Sequence, residues 1–341
     1  MNLLRSAAVG TTVAVSGAVL AIAPRADALA PADVPVRAAA AVSAVAPCST
    51  KPNQPVPKVH RLGDTPEVTA SDLAAVPEVA APAPTPAPAT VSPLLRRAVS
   101  DKVGGVHLPK HVKIPVYVHV IRGVHRTERH TAGPRQVRRM IKVLNKGFHG
   151  GESKANTPTR YTFKLRHIDY HKRDGWYHTY LFRPLDKQMR RTLHRGGKRA
   201  LNIYINGGGP IGQPVLGWTT FPWKQHKHPL LDGVGVNWRA MPWGTLKHYH
   251  QGDTIIHETG HWLGLFHTFQ GGCKAPGDKV ADTPSERYPS YRCNTKADTC
   301  KGKPGLDPVH NFMDYSWDSC MNQFTPDQVA RMDRSFVKYR R

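Results

Sequence analysis

Several common features are missing from the 341-residue sequence. After the first thirty residues no apolar run is long enough to span a bilayer, which excludes a transmembrane anchor in the remainder of the chain. No CxxC pair is present, so a second, structural zinc site is the weaker interpretation of the cysteines. No EF-hand pattern is found, which excludes that kind of calcium loop, and no internal repeat is found, which excludes a repeat architecture.

Acidic residues are also scarce, with 24 Asp and Glu against 48 Lys and Arg, a formal net charge of +24. Such a balance raises the question of an anionic partner. The basic residues are spread along the chain, largely on the predicted outer faces of helices, and no nucleic-acid-binding signature accompanies them. We therefore expect solvated surface charge, with loose binding to anionic surfaces or acidic substrates, and no nucleic-acid recognition.

The first hundred residues differ in composition from the rest. A short basic start, the small and apolar segment Ser6–Pro24 and small-residue cleavage sites predict a signal peptide over residues 1–30 and a secreted, extracellular protein. A weak membrane anchor is the alternative. Residues 31–101 are rich in Ala and Pro, which predicts a largely disordered pro-segment and linker. The globular, catalytic domain then covers residues 102–341.

The periodicity of apolar residues within this domain predicts an α+β fold. Strands are predicted over Lys113–Arg122, Tyr161–Ile168 and Ala200–Asn206, with two short strands within Val215–Phe221 and Gly233–Trp238. Helices are predicted over Pro134–Phe148, over Asp186–Gly197, from about Thr254, and over Pro326–Tyr339. Regular pattern fades after His267, so the C-terminal half is expected to be irregular.

One short segment, HETGHWLGLFHTF, carries the chemistry. His257 and His261 are four residues apart and therefore lie on one face of a helix. Gly264 is suited to end that helix, so the chain can turn and bring His267 to the same point. Three imidazoles with an open fourth position are the coordination of one catalytic Zn²⁺, and Glu258 is suited to take a proton from the water that the ion activates.

Five cysteines are present. Cys273, Cys293, Cys300 and Cys320 fall in the irregular half, where a secreted chain would use two disulfides, and the residues alone leave three pairings open. Cys48 remains, within the predicted pro-segment. Its thiolate could occupy the fourth zinc position and keep a precursor inactive; an unpaired thiol in a disordered tail is the alternative.

The extended zinc motif, followed by Met313 in NFMDYSWDSCMNQFTPDQ, resembles the metzincin metallopeptidases. The segments LNIYIN, LGWTTFP, GHWLGLFHTFQGGC and DTP also resemble the secreted bacterial members of the pappalysin family of metzincins. The resemblance covers about Ile114–Met332. It implies a twisted mixed sheet and the zinc helix above a cleft, with an irregular, disulfide-stabilised lower subdomain below it.

The resemblance also implies roles for single residues. Met313 would support the zinc site by packing, and Tyr315 would stabilise the oxyanion of the tetrahedral intermediate. The disulfides would be crossed, Cys273–Cys300 and Cys293–Cys320. A possible calcium site would use the side chains of Asp278 and Asp282 and the carbonyls near Val280 and Thr283.

The segment LGWTTFP matches the family's edge strand, where an extended peptide can pair by backbone hydrogen bonds. The residues assigned to this strand are Leu216, Gly217, Trp218, Thr219 and Thr220. Asp318 and Ser319 would line the pocket for the side chain after the scissile bond. Some relatives place an acid immediately before the cysteine, where this chain has Ser319. A preference for Lys or Arg there depends on whether Asp318 reaches the pocket.

Together these patterns predict a secreted, monomeric zinc endopeptidase that cleaves proteins or peptides. The alternative is a cationic secreted binding protein whose zinc site is not catalytic. A dead site would be expected to lack the base or a ligand, and none is missing.

Overall fold

The computed structural model describes residues 102–103, 105–129, 131–209 and 215–341. The predicted signal peptide, the pro-segment and Cys48 lie outside the described residues. Within the described part, no helix combines the length and the apolar character that crossing a membrane requires.

A five-stranded mixed sheet forms the first half of the domain. A short antiparallel ribbon, β1 (Lys102–Val103) and β2 (Val106–His107), precedes it. The sheet strands are β3 (Val112–Arg122), β4 (Tyr161–Lys172), β5 (Leu201–Asn206), β6 (Gly217–Thr219) and β7 (Val234–Asn237). Their order is β4-β3-β5-β7-β6, and only β6 is antiparallel to its neighbour. The short strand β6 is therefore one edge of the sheet.

Helices connect and flank the strands. They are α1 (Pro134–Phe148), α2 (Asp174–Tyr177), α3 (Pro184–Leu193), α4 (Pro222–Gln225), α5 (Asp253–Trp262) and α6 (Pro326–Tyr339). Three single turns of 3-10 helix occur at Arg126–Glu128, Pro229–Leu231 and Trp238–Ala240.

Both faces of the sheet are covered. On one face, side chains that alternate along β3 pack against the apolar stripe of α1 and against Ile255 and Ile256 of α5. Helix α1 approaches α5 closely at Gly147, where a Cβ would lie 2.5 Å from Ile256 Cδ1. On the other face, Tyr204 and Ile121 pack against residues of α3. This packing fixes α5, the predicted zinc helix, against the sheet.

The chain between α5 and α6 has little regular structure. One isolated bridge, Asn311 with Gln323, is its only strand pairing among the described residues. Helix α6 closes the domain and begins with a capping box made by Thr325 and Gln328. Near the C-terminus Arg340 forms a buried, two-point ion pair with Asp232, 2.8 and 3.1 Å, and its Nε donates to the carbonyl of Trp262. The last helix is thereby tied to the end of α5.

The predicted α+β fold is confirmed, and two boundaries need correction. The helix predicted to end at Gly196 and Gly197 ends at Leu193, because the backbone of Arg195 exchanges two hydrogen bonds with the Asn202 side chain, each 2.9 Å. The strand predicted to end at Ile168 continues to Lys172, because its parallel pairing with β3 continues to Arg122.

Candidate active site

Three imidazoles converge at the end of α5. The Nε2 atom of His261 lies 3.0 Å from the Nε2 atoms of both His257 and His267. The first two histidines project from one face of the helix. Gly264 adopts φ +99° just after the helix, in the left-handed region that favours glycine, and the chain turns there towards His267.

Backbone carbonyls orient two of these rings. His257 Nδ1 donates to the Phe312 carbonyl at 2.6 Å, and His261 Nδ1 donates to the Leu265 carbonyl at 2.8 Å. With the proton on Nδ1, each Nε2 atom presents a lone pair to the common centre. Burial also lowers the pKa of His261 to about 4, although the bond to Leu265 acts in the opposite direction. The His261 ring is therefore neutral near pH 7.

This donor set fits Zn²⁺. Zinc–nitrogen bonds of about 2.0 to 2.1 Å in a tetrahedron separate the nitrogen atoms by about 3.3 Å. The observed separations of 3.0 Å are close to that value. Lone pairs facing one another at this distance repel without a cation between them, so the geometry favours a metal. All three histidines are buried, and each offers one ligand atom to the same centre.

Glu258 is fully buried beside this centre and is held by the edge strand. The Thr219 hydroxyl donates to Glu258 Oε2 and also lies 2.9 Å from the Glu258 carbonyl oxygen. A Cβ on Gly217 would lie 2.6 Å from Glu258 Cγ, so only glycine allows β6 to approach the carboxylate this closely. Residues of the edge strand therefore shape the surroundings of the candidate base.

Tyr315 also contacts two of the histidines, His257 and His267. Its hydroxyl lies 3.2 Å from His267 Nε2, and its ring packs edge-on against that imidazole. Tyr315 lies in the same pocket as His257, Glu258 and Leu216. A phenol hydroxyl at this position can donate to a negatively charged oxygen that develops near the three imidazoles.

Comparisons with known proteins agree with this geometry. Residues 236–337 match peptidase family M43, described as pregnancy-associated plasma protein-A. An extracellular metalloprotease of Sordaria macrospora is 34% identical over 248 residues, which cover 72% of this chain and 82% of that protein. An extracellular metalloprotease of Pyricularia oryzae is 34% identical over 228 residues, covering 67% of this chain and 76% of the relative.

The chain belongs to this family of metallopeptidases. Among solved structures, mature mirolysin of Tannerella forsythia in complex with a cleaved peptide is similar, with a TM-score of 0.57 and 28% identity over 66% of this chain and 92% of that chain. A promirolysin mutant of the same organism has the same TM-score and 27% identity, over 67% of this chain and 82% of that chain. The predicted metzincin-type fold and the resemblance to pappalysins are thereby confirmed.

The M43 chain is therefore a metalloendopeptidase, and the binding-protein alternative is set aside. Its relatives are named extracellular proteases, which agrees with the predicted secretion. The family implies zinc as the metal, and the three histidines offer the place for it.

Met313 lies below the histidines, in direct contact with α5. The methionine is fully buried, and a Cβ on Gly260 would lie 2.5 Å from its sulfur. Cys273 is joined to Cys300 and Cys293 to Cys320, which is the crossed pairing that the resemblance implies.

Asp318 and Ser319 differ in their surroundings. Asp318 is 4% exposed and lines the same pocket as Glu258 and Tyr315, whereas Ser319 is exposed. Asp318 Oδ2 accepts hydrogen bonds from the backbone N–H groups of Gln251, 2.8 Å, and Gly252, 3.0 Å. The Asp318 carboxylate therefore lies in the same pocket as Glu258 and Tyr315.

The predicted calcium residues lie close together in sequence but make different contacts. Both carboxylate oxygens of Asp282 accept hydrogen bonds at the start of α6, from the Thr325 hydroxyl at 2.6 Å and the Asp327 N–H at 2.9 Å. Asp278 is buried, and its Oδ1 accepts from the Val280 N–H at 3.0 Å. The Thr283 hydroxyl also donates a side-chain hydrogen bond to the Asp278 carboxyl. Burial raises the pKa of Asp278 to about 7.

Sequence reasoning missed several residues of the site. The sequence predicts a substrate-binding role for Thr219 but does not show that its hydroxyl contacts Glu258. Tyr249 lines the cleft from an irregular loop without any motif, so nothing in the sequence marks it. Asp314 also lines the cleft, and its Oδ1 accepts from the N–H groups of Tyr315, 2.7 Å, and Ser290, 2.9 Å. Its position directly after Met313 could have indicated from the sequence that it lies near the site.

Proposed function

We propose that Glu258 is the general base of a peptide-bond hydrolysis carried out at the three histidines. The observation that carries this proposal is the meeting of three Nε2 atoms beside a fully buried glutamate. His257, His261 and His267 would hold the zinc, which would polarise a peptide carbonyl and make a water molecule acidic. Glu258 takes a proton on its carboxylate and later delivers it to the leaving amine.

Other residues of the cleft supply binding and charge stabilisation. Tyr315 Oη donates a hydrogen bond to the oxyanion that develops at the scissile carbonyl. Strand β6 offers its outer backbone edge to an extended peptide, because its other edge is paired with β7. Backbone pairing binds peptides without selecting a sequence, so proteins and peptides are the substrate class.

The direct test is digestion of a denatured proteome by the secreted, processed protein, with each new terminus identified by mass spectrometry. The Glu258→Ala variant and a chelated sample serve as controls. We expect cleavage by the wild type alone. Equal cleavage by wild type and variant, both folded and loaded with zinc, would contradict the assignment of the base.

We further propose that Asp318 selects Lys or Arg directly after the scissile bond. Its carboxylate is buried in the cleft beside Leu216 and Met321, so a basic side chain entering there would gain a charged partner. The variant Asp318→Asn removes the charge while its amide oxygen can still accept from Gln251 and Gly252. We expect the ratio of kcat/KM for Arg over Leu peptides to fall at least about tenfold, about 1.4 kcal/mol. An unchanged ratio would show that Asp318 only holds the loop.

Calcium is proposed at Asp278, with the Val280 carbonyl and the Thr283 hydroxyl as further oxygen ligands. The buried Asp278 carboxyl and the neighbouring Thr283 hydroxyl support this site, because they place oxygen atoms close together. Calcium should raise the Tm of wild type but not of Asp278→Asn. The Asp282→Asn variant should keep the response, since both oxygens of Asp282 are engaged at α6.

The last proposals concern the N-terminal segments and the role of Cys48. We propose that residues 1–30 direct secretion, that 31–101 form a pro-segment, and that the Cys48 thiolate keeps the precursor inactive as a competing zinc ligand. The Cys48→Ala precursor should then be active before processing. A variant precursor that is as inactive as wild type would remove this role for the thiol.

We also propose that the protein is a monomer whose basic surface attracts anionic surfaces in a salt-dependent way.

A further inference from the structure

A second group of metal-ligand side chains lies where β3 and β4 end. His125 and Glu128 belong to the loop after β3, and Asp174 begins helix α2 directly after β4. One ligand atom from each of the three lies within 4.8 Å of the others. His178, which follows α2, lies beside Glu128 and Asp174 and offers a further imidazole nitrogen. We call these four residues the strand-end cluster.

His178 lies within ligand-to-ligand range of two members of the strand-end cluster. His178 Nε2 lies 3.2 Å from Glu128 Oε1 and 3.7 Å from Asp174 Oδ1. Ligand atoms about 2.0 to 2.1 Å from a tetrahedral zinc would be about 3.3 Å apart. Two imidazoles and two carboxylates are a donor set that zinc accepts.

Glu128 gives independent evidence for a missing ligand. Its side chain is buried, 7% exposed, and its Oε2 atom has no hydrogen-bond partner. Only glycine at position 123 leaves room for this carboxylate, since a Cβ there would overlap the Glu128 side chain. A buried carboxylate oxygen without a partner costs free energy, which a bound cation would offset.

The surrounding charges are also unusual for so basic a chain. Among the described residues, neither Glu128 nor Asp174 forms an ion pair with Lys or Arg, although these outnumber Asp and Glu by two to one. The cluster His119, Asp169 and His171 provides a contrast, because Arg195 lies 3.2 Å from Asp169 there. A guanidinium already neutralises that carboxylate, whereas the strand-end cluster has only histidines.

The backbone of the strand-end cluster is preorganised. The Glu128 N–H donates to the His125 carbonyl at 3.0 Å, and the Val124 N–H donates to Asp174 Oδ1 at 3.3 Å. Asn206, at the end of β5, donates to the carbonyls of Trp176 and Thr179 on either side of His178. An ion here would join three adjacent strand ends.

We propose that His125, Glu128, Asp174 and His178 form a second binding site for a divalent transition metal, with Zn²⁺ as the fitting ion. The site is separate from the catalytic histidines and stabilises the sheet without touching substrate. It therefore depends on no assumption about catalysis.

The test counts zinc in the purified full chain by mass spectrometry, after equilibration with excess zinc and gel filtration. Wild type should retain about two ions per chain. The variants His178→Ala and Glu128→Gln should each retain about one, and so should His257→Ala, which removes the other site. The matched control His171→Ala should retain about two.

The His125→Ala variant controls for misfolding. His125 is exposed, so its replacement removes a proposed ligand without disturbing the core. We expect zinc to raise the Tm of the His257→Ala chain and to raise it less when His125→Ala is added. The proposal would be overturned if the wild type retained only one ion per chain. It would also be overturned if the His125→Ala and His178→Ala variants retained as many ions as the wild type. The cluster would then be a histidine–glutamate ion pair only.

Discussion

The two sides of the catalytic cleft are stabilised by different physical means. Above it, β3, α1 and α5 bury a continuous apolar core. Below it, between α5 and α6, the chain has one isolated bridge, two disulfides and several buried carboxylates that accept hydrogen bonds from nearby N–H and hydroxyl groups. The upper side distributes its stability over many apolar contacts. The lower side joins that core through a few side chains, among them Phe312, Met313 and Phe324, and otherwise depends on single groups.

This difference shows how one site can be assembled from unlike halves. The upper side contributes His257, His261 and Glu258 from a helix packed on a sheet. The lower side contributes Tyr315 and the Phe312 carbonyl that orients His257. We expect substitutions above the cleft to act on chemistry through the base, and substitutions below it to act first on stability.

The largest effect should come from the upper side, at the base itself. Glu258→Gln keeps the shape and can still accept a hydrogen bond from Thr219, but it cannot take a proton. We expect kcat/KM to fall by about 10²- to 10⁴-fold, with zinc content unchanged. The matched control is Glu152→Gln, a glutamate paired with Lys146 outside the site. Activity near the wild-type value in Glu258→Gln would place the base elsewhere.

The next effect tests the lower side with two bridges of equal span. Both disulfides join residues 27 apart, so the chain-entropy view predicts that replacing either pair with serine costs the same, about 3 to 4 kcal/mol. Chemical denaturation measures this loss. Only Cys320 adjoins Ser319 and Asp318, so only the Cys293 and Cys320 replacement should also change kcat/KM for Arg peptides. Equal effects on kcat/KM would show that neither bridge shapes the pocket.

A third effect concerns a buried acid of the lower side. Burial, and then the charge of Asp314, raise the pKa of Glu286 to about 8. The folded state therefore favours the protonated acid, so this stabilisation is complete below about pH 4.5 and is lost as pH rises to about 8. The Glu286→Gln variant should not show this decrease in the free energy of unfolding, which amounts to up to a few kcal/mol between about pH 4.5 and 8. Unfolding curves measured across that range test this. If the free energy of unfolding of the variant falls with pH as steeply as that of the wild type, the prediction is wrong.

The smallest effect should be that of Thr219→Val, which removes the hydroxyl that contacts Glu258. We expect kcat/KM to fall about tenfold, about 1.4 kcal/mol, through kcat, because the base is less well oriented. Thr220→Val is the neighbouring control, since its hydroxyl donates to the Leu231 carbonyl, away from the base. Equal kinetics for the two variants would remove the orienting role of Thr219.

Much of the upper half was predictable from the sequence. The boundaries of α1 and α6 agree with those predicted, because apolar residues at helical spacing and clear end signals specify them locally. Strand β4 was predicted too short, since its exposed second half has no apolar alternation and is formed by pairing with β3. The three histidines were marked by spacing along one helix and a glycine turn.

By itself, then, the sequence determined the four longer helices, the central strands and the grouping of the three histidines, because these depend on the period of the backbone and on neighbours a few residues away. Only the tertiary structure decided that Asp318 lies in the cleft, that Thr219 meets Glu258, and that His125, Glu128 and His178 gather at the strand ends. Such contacts join residues far apart in the chain, and their distances are set by packing of the whole domain rather than by any local pattern.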